Sequence, residues 1–444
     1  MQMQRVLSIA SIAVLSLMCV APVAQAQTWE TPVGIPHPGN WFLATGNVQE
    51  VTGGGTSRTF SGNGTAAAPV VFRGVGNPAF TGQVTITGSY VIVENIIVRS
   101  GGIVRFSGDH LVLRNSEVTG NNGNLSKTTV NTSGTSSDLV IFRNKIHDNG
   151  QWQGTSEDDF HGVSASGSVQ RIWILENEMY HHGGDSVQVG HNGKNSVSGV
   201  YIGRNVMHHD RENAVDLKEV SNAVVSENTM YGYRETGSSE GAAVVIHYCP
   251  INASIVNNLI YDSQVGISST SLNSTCSGKS VTNRIAGNVV HSILGNAIQG
   301  WGTGKVTQIA NNTVYNVAGS GLDLTNAASG STVENNIFNS VRGTAVVVTG
   351  SATQRNNITS GTPGFVNASA GDFRLVAGSP AIDKGAATSI FSGYQSVFGV
   401  SIAVDRAGQP RPSGGSMDIG AYEYAGGGSS STAPAAPTNL RITP

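Results

Sequence analysis

Three short polar stretches stand out in an otherwise bland chain: "TSEDDFHG" (155–162), "YHHGGD" (180–185) and "HHDREN" (208–213). The last runs straight into "AVDLKE", which places Lys218 two residues after Asp216. Asp158, Asp159, Asp185, Glu212 and Asn213 are oxygen donors of the kind a hard cation such as Ca2+ collects, and equally the residues that ordinary turns use. Lys218 can take a proton if burial or a neighbouring positive charge lowers its pKa. Arg211 and His247 can neutralise an acidic substrate or donate a proton, and Asp216 can orient either. Gln188, His209, Tyr248 and Trp301 supply hydrogen bonds and a flat apolar ring of the kind that holds a sugar. Each has a plain alternative: Lys218 as a surface charge, His247 as a packing residue beside Cys249, the histidines as turn residues, Trp301 as a ring under a loop.

The elements that would position these residues repeat. An apolar alternation ends on asparagine and restarts after it, as in "VIVENIIV", "LVLRNSEV", "VIFRNKIH", "WILENEMY", "YIGRNVMH", "VVSENTMY" and "SIVNNLIY". The asparagines are Asn95, Asn115, Asn144, Asn177, Asn205, Asn228, Asn258, Asn288, Asn312, Asn336 and Asn357. No helical period fits. Each repeat holds short β segments that bury their apolar face only by stacking on the next repeat. Asparagine suits a fixed turn, where its amide can bond along the stack. A second strand precedes each asparagine strand: "HGVSAS", "DSVQVG", "NAVDLK", "AAVVIH", "VGISST", "NAIQGW", "SGLDLT" and "TAVVVT". Val163, Val187, Val215, Val244, Ile267, Ile298, Leu322 and Val346 then form one inward column. The expectation is an all-β chain, a right-handed parallel β-helix of about eleven coils, the hand being that of the known fold. Asp216 and Lys218 share its outer face, with Lys218 beside His247 and Trp301 two coils beyond His247.

Composition narrows the class. Residues 1–26 read as a signal peptide, so the expected location is secreted or periplasmic. Glycine is abundant (57), charged residues make up 12% and the net charge is −3. That leaves no basic footprint for nucleic acid, and no later run is apolar enough to span a membrane. The chain reads as a monomer. Cys249 and Cys276 fall in neighbouring coils and can form a disulfide in an oxidising compartment, or stay as thiols. The domain reading is a cap and β-helix over 27–364, a closing segment over 365–424 and a flexible linker over 425–444 that leads into "PTNLRITP", which resembles the first strand of a fibronectin type III module.

"NAVDLKEVSNAVVSENT" resembles the lysine-bearing coil of polysaccharide lyase family 6, the chondroitinase B and alginate lyase group, and "APVVFRGVGNPAFTG" with "VIVENIIVRSGG" resembles its first coils. The resemblance implies β-elimination on a uronic-acid polysaccharide, with Lys218 as base and Glu212 or Asn213 near a calcium ion. The chain has "REN" where the family carries an acidic pair, and His247 where the family has arginine. A glycoside hydrolase built on Asp185, Glu212 and Asp216 is the alternative chemistry. A non-catalytic binding or adhesin solenoid is the alternative class. It predicts uniform Ser/Thr faces, whereas this chain concentrates charge in about four consecutive coils.

Overall fold

The computed structural model describes residues 29–426 apart from 133, 154–157, 191–195, 271–279 and 302–303. The expected signal peptide lies outside the described residues, as does all of the expected linker beyond Gly426.

From Thr31 to Gly426 the described residues form one compact unit, a parallel β-helix of about 12 turns. A typical coil carries three strands, such as Val215–Lys218, Ser221–Ser226 and Thr229–Tyr231. Each pairs in parallel with its counterparts one coil before and one coil after. The inward column is the one the sequence spacing predicts. Val163 lies opposite Val187, then Val215, Val244, Ile267, Ile298, Leu322 and Val346 in turn. These side chains belong to one continuous core that runs from Val51 to Phe338. Burying each valine or isoleucine contributes roughly 1.5–3 kcal/mol, so the stack rather than any single coil holds the fold.

The asparagines make a buried ladder from Asn144 to Asn357. In each step the amide Nδ2 donates to the Oδ1 of the next coil's asparagine, as Asn205 does to Asn228 at 2.9 Å and Asn228 to Asn258 at 3.0 Å. Asn95 and Asn115 are not rungs. They occupy the left-handed turn position one residue earlier (φ 57 and 49), and the rung positions beside them are Ile96 and Ser116. On later coils that turn position holds Arg143, Glu176, Arg204 and Glu227. Their charges alternate along the helix: Arg143 meets Glu176 at 2.8 Å, and Arg204 meets Glu176 at 3.0 Å and Glu227 at 3.9 Å.

The described segments on either side of the coils pack along the flank of the solenoid. Val48–Val51, Arg58–Asn63 and Val70–Gly74 join the sheet, but the preceding segment runs along the flank. Its backbone carbonyls at Ala44, Pro36 and Val33 accept from Arg114 at 2.8 Å, Trp173 at 2.7 Å and Ser226 at 2.7 Å. Pro32, Pro36 and Pro38 lack the N–H a ladder strand needs, which is why this stretch is a strap rather than another coil.

The C-terminal segment also folds back along the flank. The carbonyls of Ala386 and Asp418 accept from Asn335 and Asn311, both at 2.8 Å. Its helix, Ser389–Phe398, is one that the all-β reading misses. Thr388 caps it by accepting from Ile390 N–H at 3.3 Å, Ile390, Tyr394 and Phe398 bury one face, and Gly399 ends it at φ 72. The two straps meet where the Tyr394 hydroxyl donates to the Gly34 carbonyl. Cys249 is disulfide-bonded; Cys276, its expected partner, lies outside the described residues. Among the described residues no helix is long and apolar enough to cross a membrane.

Candidate functional site

On the outer face of the first strand of each coil, the strands Val215–Lys218, Ala242–His247 and Ile298–Trp301 contribute to a cavity of about 490 Å³. It gathers eight of the residues singled out from sequence: Asp159, Glu212, Asn213, Asp216, Lys218, His247, Tyr248 and Trp301. Strand alternation aims Asp216 and Lys218 outward together, and parallel pairing sets Lys218 directly opposite His247. Asp216 is not at open solvent as expected; it is only 3% exposed and forms part of the cavity floor.

Asp216 is shared between two partners. Its Oδ2 lies 3.0 Å from Lys218 Nζ, and its Oδ1 lies 3.2 Å from His247 Nδ1. The second contact is close but poorly aligned, so both atoms remain buried without a well-formed hydrogen bond. Burial alone would raise the Asp216 pKa, but the His247 ring and the Lys218 ammonium outweigh it and hold the carboxyl below the usual range. Burial likewise works against the Lys218 ammonium; Asp216, Asp185 and Glu212 outweigh it and push its pKa above that of an ordinary lysine. Lys218 therefore stands in the cavity as a cation. The sequence-based expectation of a lysine with lowered pKa meets the opposite balance, because three carboxylates face it and no cation does among the charges that set that balance.

Gly190 fixes how closely the preceding coil approaches this strand. Its φ is 82, and a Cβ there would sit 1.5 Å from the Lys218 carbonyl oxygen.

The remaining expected residues take other places. Arg211 is 5% exposed, and its Nη1 donates to Ser238 Oγ at 3.1 Å and Thr236 Oγ1 at 3.4 Å. It holds the loop 234–241 rather than facing a substrate. Gln188 lies one rung before Asp216, with Nε2 3.4 Å from Asp185 Oδ2. His209 belongs to a different sheet edge, where its Nδ1 is 2.9 Å from His208 Nδ1 and its ring packs edge-on against Tyr231. Asp158 accepts from Gln151 N–H at 2.6 Å.

Asp185 is fully buried and accepts from the Asn213 side chain at 2.8 Å. It also lies 3.3 Å from His161 Nδ1, while His161 Nε2 is 3.0 Å from Asp159. Burial disfavours a charged His161, but Asp159 and Asp185 together outweigh it and raise its pKa to about 10. The Asp185 N–H, 3.1 Å from Nδ1, would suit a neutral ring; that ring would leave its lone pair against the Asp185 carboxylate, so the imidazolium prevails. Among the described residues no three His, Cys, Asp or Glu side chains converge as a metal site. Of the residues expected to hold Ca2+, Asp159 and Asp185 both lie on His161, Asn213 donates to Asp185, and Asp159, Glu212 and Asn213 line the cavity; no step below is routed through a metal.

The long coil spacings imply insertions that wall a groove, but sequence reasoning did not single out the residues of this wall. Ser238, Ser239 and Glu240 line the cavity from a loop held by Arg211, by Ser239 Oγ donating to Asn213 at 3.2 Å, and by Gln299 Nε2 donating to Glu240 at 2.8 Å. The signal present was the long interval between Asn228 and Asn258, which marks an inserted loop.

These features define a class: a parallel β-helix with a polar cavity on one outer face. No protein-family model matches the chain, and no curated protein matches it by sequence. Among solved structures it is similar to the A-module of a mannuronan C-5 epimerase from Azotobacter vinelandii, with 12% identity, TM-score 0.51 and coverage of 74% of this chain and 98% of that one. It is also similar to a PL6-family polysaccharide lyase from Pseudopedobacter saltans (14% identity, TM-score 0.47, 73% and 90% covered) and to a pectate lyase (14%, 0.39, 85% and 86%). At 12% identity the likeness to the epimerase module shows the fold alone.

Proposed function

We propose that the chain is a secreted polysaccharide lyase that cleaves a uronic-acid polymer by β-elimination at the Lys218–Asp216–His247 cavity. The observation that carries this reading is Asp216 shared between the Lys218 ammonium and His247 Nδ1. β-Elimination needs the uronate carboxylate neutralised and the C5 proton removed. Lys218, held as a cation, meets the first need by pairing with the substrate carboxylate. His247, its Nδ1 turned to Asp216, keeps Nε2 as its other basic atom and takes the C5 proton there. The C–H electron pair becomes the C4–C5 double bond, the C4–O4 bond breaks, and the leaving oxygen takes a proton from Tyr248, which lines the same cavity, or from water. The roles of Lys218 and His247 are thus exchanged relative to those the family resemblance implies.

A second reading rests on a separate observation. Four carboxylates, Asp159, Glu212, Asp216 and Glu240, line the cavity, and a glycoside hydrolase needs only two at a suitable separation. One experiment separates the readings. The protein is incubated with alginate, pectate and glycosaminoglycans, with Ca2+ or EDTA, while ultraviolet absorbance of unsaturated uronate and release of reducing ends are both followed. The lyase reading expects both signals together. Reducing ends without absorbance would replace it with hydrolysis. Loss of the signal in EDTA would add the calcium ion that the sequence suggested.

A further inference from the structure

The cavity is a row rather than a point. Lys218 lies opposite His247. The pairing of Val245 with Ser268 sets His247 beside Thr270, and that of Ser269 with Gly300 sets Thr270 beside Trp301. All four line the cavity. With neighbouring strands ~4.8 Å apart, Lys218 and Trp301 are separated by three rungs, or roughly 14 Å along the helix axis.

One atom in this row, Thr270 Oγ1, is buried with no hydrogen-bond partner, whereas Asp216 Oδ1 and His247 Nδ1 face each other at 3.2 Å. Thr270 follows directly on the strand Val265–Ser269 and is only 4% exposed. Buried polar atoms are rarely left unmet, so the Thr270 hydroxyl in the wall of a polar cavity points to a ligand that brings hydroxyl groups. At the end of the row Trp301 is 46% exposed, in a chain whose other bulky side chains are mostly buried. An exposed indole beside a polar trough is a surface for an apolar ring face.

We infer that the ligand is a linear oligosaccharide segment laid along the helix axis, across the strands, with its reacting unit at Lys218 and His247, a hydroxyl of a neighbouring unit bonded to Thr270 Oγ1, and a further ring stacked on Trp301. The rung spacing is comparable with the length of one pyranose unit, so the chain advances about one sugar per strand. The site is therefore selective for length: a short fragment fills the reacting end and does not reach the tryptophan. The placement of the reacting unit rests on the lyase reading; the axial binding of the chain does not.

Two measurements test this. Oligosaccharides of increasing length, prepared from whichever polymer is cleaved, are assayed with wild type, Trp301→Ala and Thr270→Val. For wild type, kcat/KM rises with length until the chain reaches Trp301. In Trp301→Ala that rise is lost, about tenfold on long chains with little change on the shortest one cleaved. Equal losses at every length, or none, would overturn the inference. Affinity electrophoresis through gels containing each polymer needs no turnover. Retardation of wild type that weakens in both variants upholds axial binding, even where no cleavage occurs and the lyase reading falls. Equal retardation of all three proteins, or none for wild type, overturns axial binding whatever the reaction.

Discussion

The asparagine ladder and the cavity row are built from the same coils, yet they treat polar atoms in opposite ways. Along the ladder each amide both donates to the next coil and accepts from the previous one. Asn258 Nδ2 donates to Asn288 at 2.9 Å, while its Oδ1 accepts from Asn228 at 3.0 Å. Along the cavity, Asp216 Oδ1 and His247 Nδ1 meet only in a poorly aligned contact at 3.2 Å, and Thr270 Oγ1 has no partner. The ladder's flank is also covered by the two terminal straps. A repeat that satisfies itself is scaffold; the coils that break the repeat and leave bonding capacity over are where a ligand fits.

The sharpest way to break this contrast is to remove the cavity's shared carboxylate. Asp216→Asn and His247→Ala should each lower turnover by about 10²–10³-fold while the thermal unfolding midpoint stays near wild type; parallel losses of fold and activity would make Asp216 another structural residue.

The converse change tests the ladder. Asn258→Ala leaves its neighbours' buried amide groups unmet and should cost about 1–3 kcal/mol in denaturant unfolding, with activity per folded molecule unchanged. Gly190→Ala joins the two regions, because its Cβ would meet the Lys218 carbonyl, so both stability and turnover should fall.

Acid and base then probe the buried titratable groups. Burial lowers His182 to about 3 and His208 and His291 to about 4, from 6.5. The unfolded chain takes up these protons first, so stability falls as pH drops from 6.5 towards 4. Asp210, raised by burial to about 8, opposes this trend, as do Glu227, Asp418 and Glu423, also raised by burial. Above 6.5 the sign reverses, since Asp210 and His161, raised to about 10, both lose their protons as pH rises and stability falls again, a fall that Lys305, lowered by burial to about 7, offsets in part at higher pH. A plot of unfolding midpoint against pH should therefore peak near 6.5, and His291→Gln should flatten its acid side; a monotonic plot would contradict the assignment.

The smallest expected effect is that of Arg211→Ala. Freeing the loop 234–241 should raise KM several-fold with kcat little changed, whereas a direct catalytic role would depress kcat.

Much of this was legible in the sequence because a solenoid is written in register. Val163 to Val346 align by spacing alone, and the same alignment put Lys218 beside His247. The ladder was misplaced by one residue at Asn95 and Asn115, because asparagine suits both the buried rung and the left-handed turn before it. The straps were illegible as straps, since their partners lie far away in sequence: Val33 on Ser226, Gly34 on Tyr394. The helix had its signals, Thr388, the spacing of Ile390, Tyr394 and Phe398, and Gly399, but an all-β reading passed over them. The charge state of Lys218 could not be read either, because the Asp185 and Glu212 carboxylates that help set it come from residues before the strand and from the preceding coil.

The central claim, that Lys218 acts as a cation and not as the base, is met most directly by comparing Lys218→Arg with Lys218→Ala on the polymer the wild type cleaves, following unsaturated uronate by ultraviolet absorbance. Arginine keeps the positive charge and cannot accept a proton at working pH. The account predicts that Lys218→Arg retains a measurable part of the activity that Lys218→Ala loses. Equal and complete loss in both would contradict it and return the base's role to Lys218.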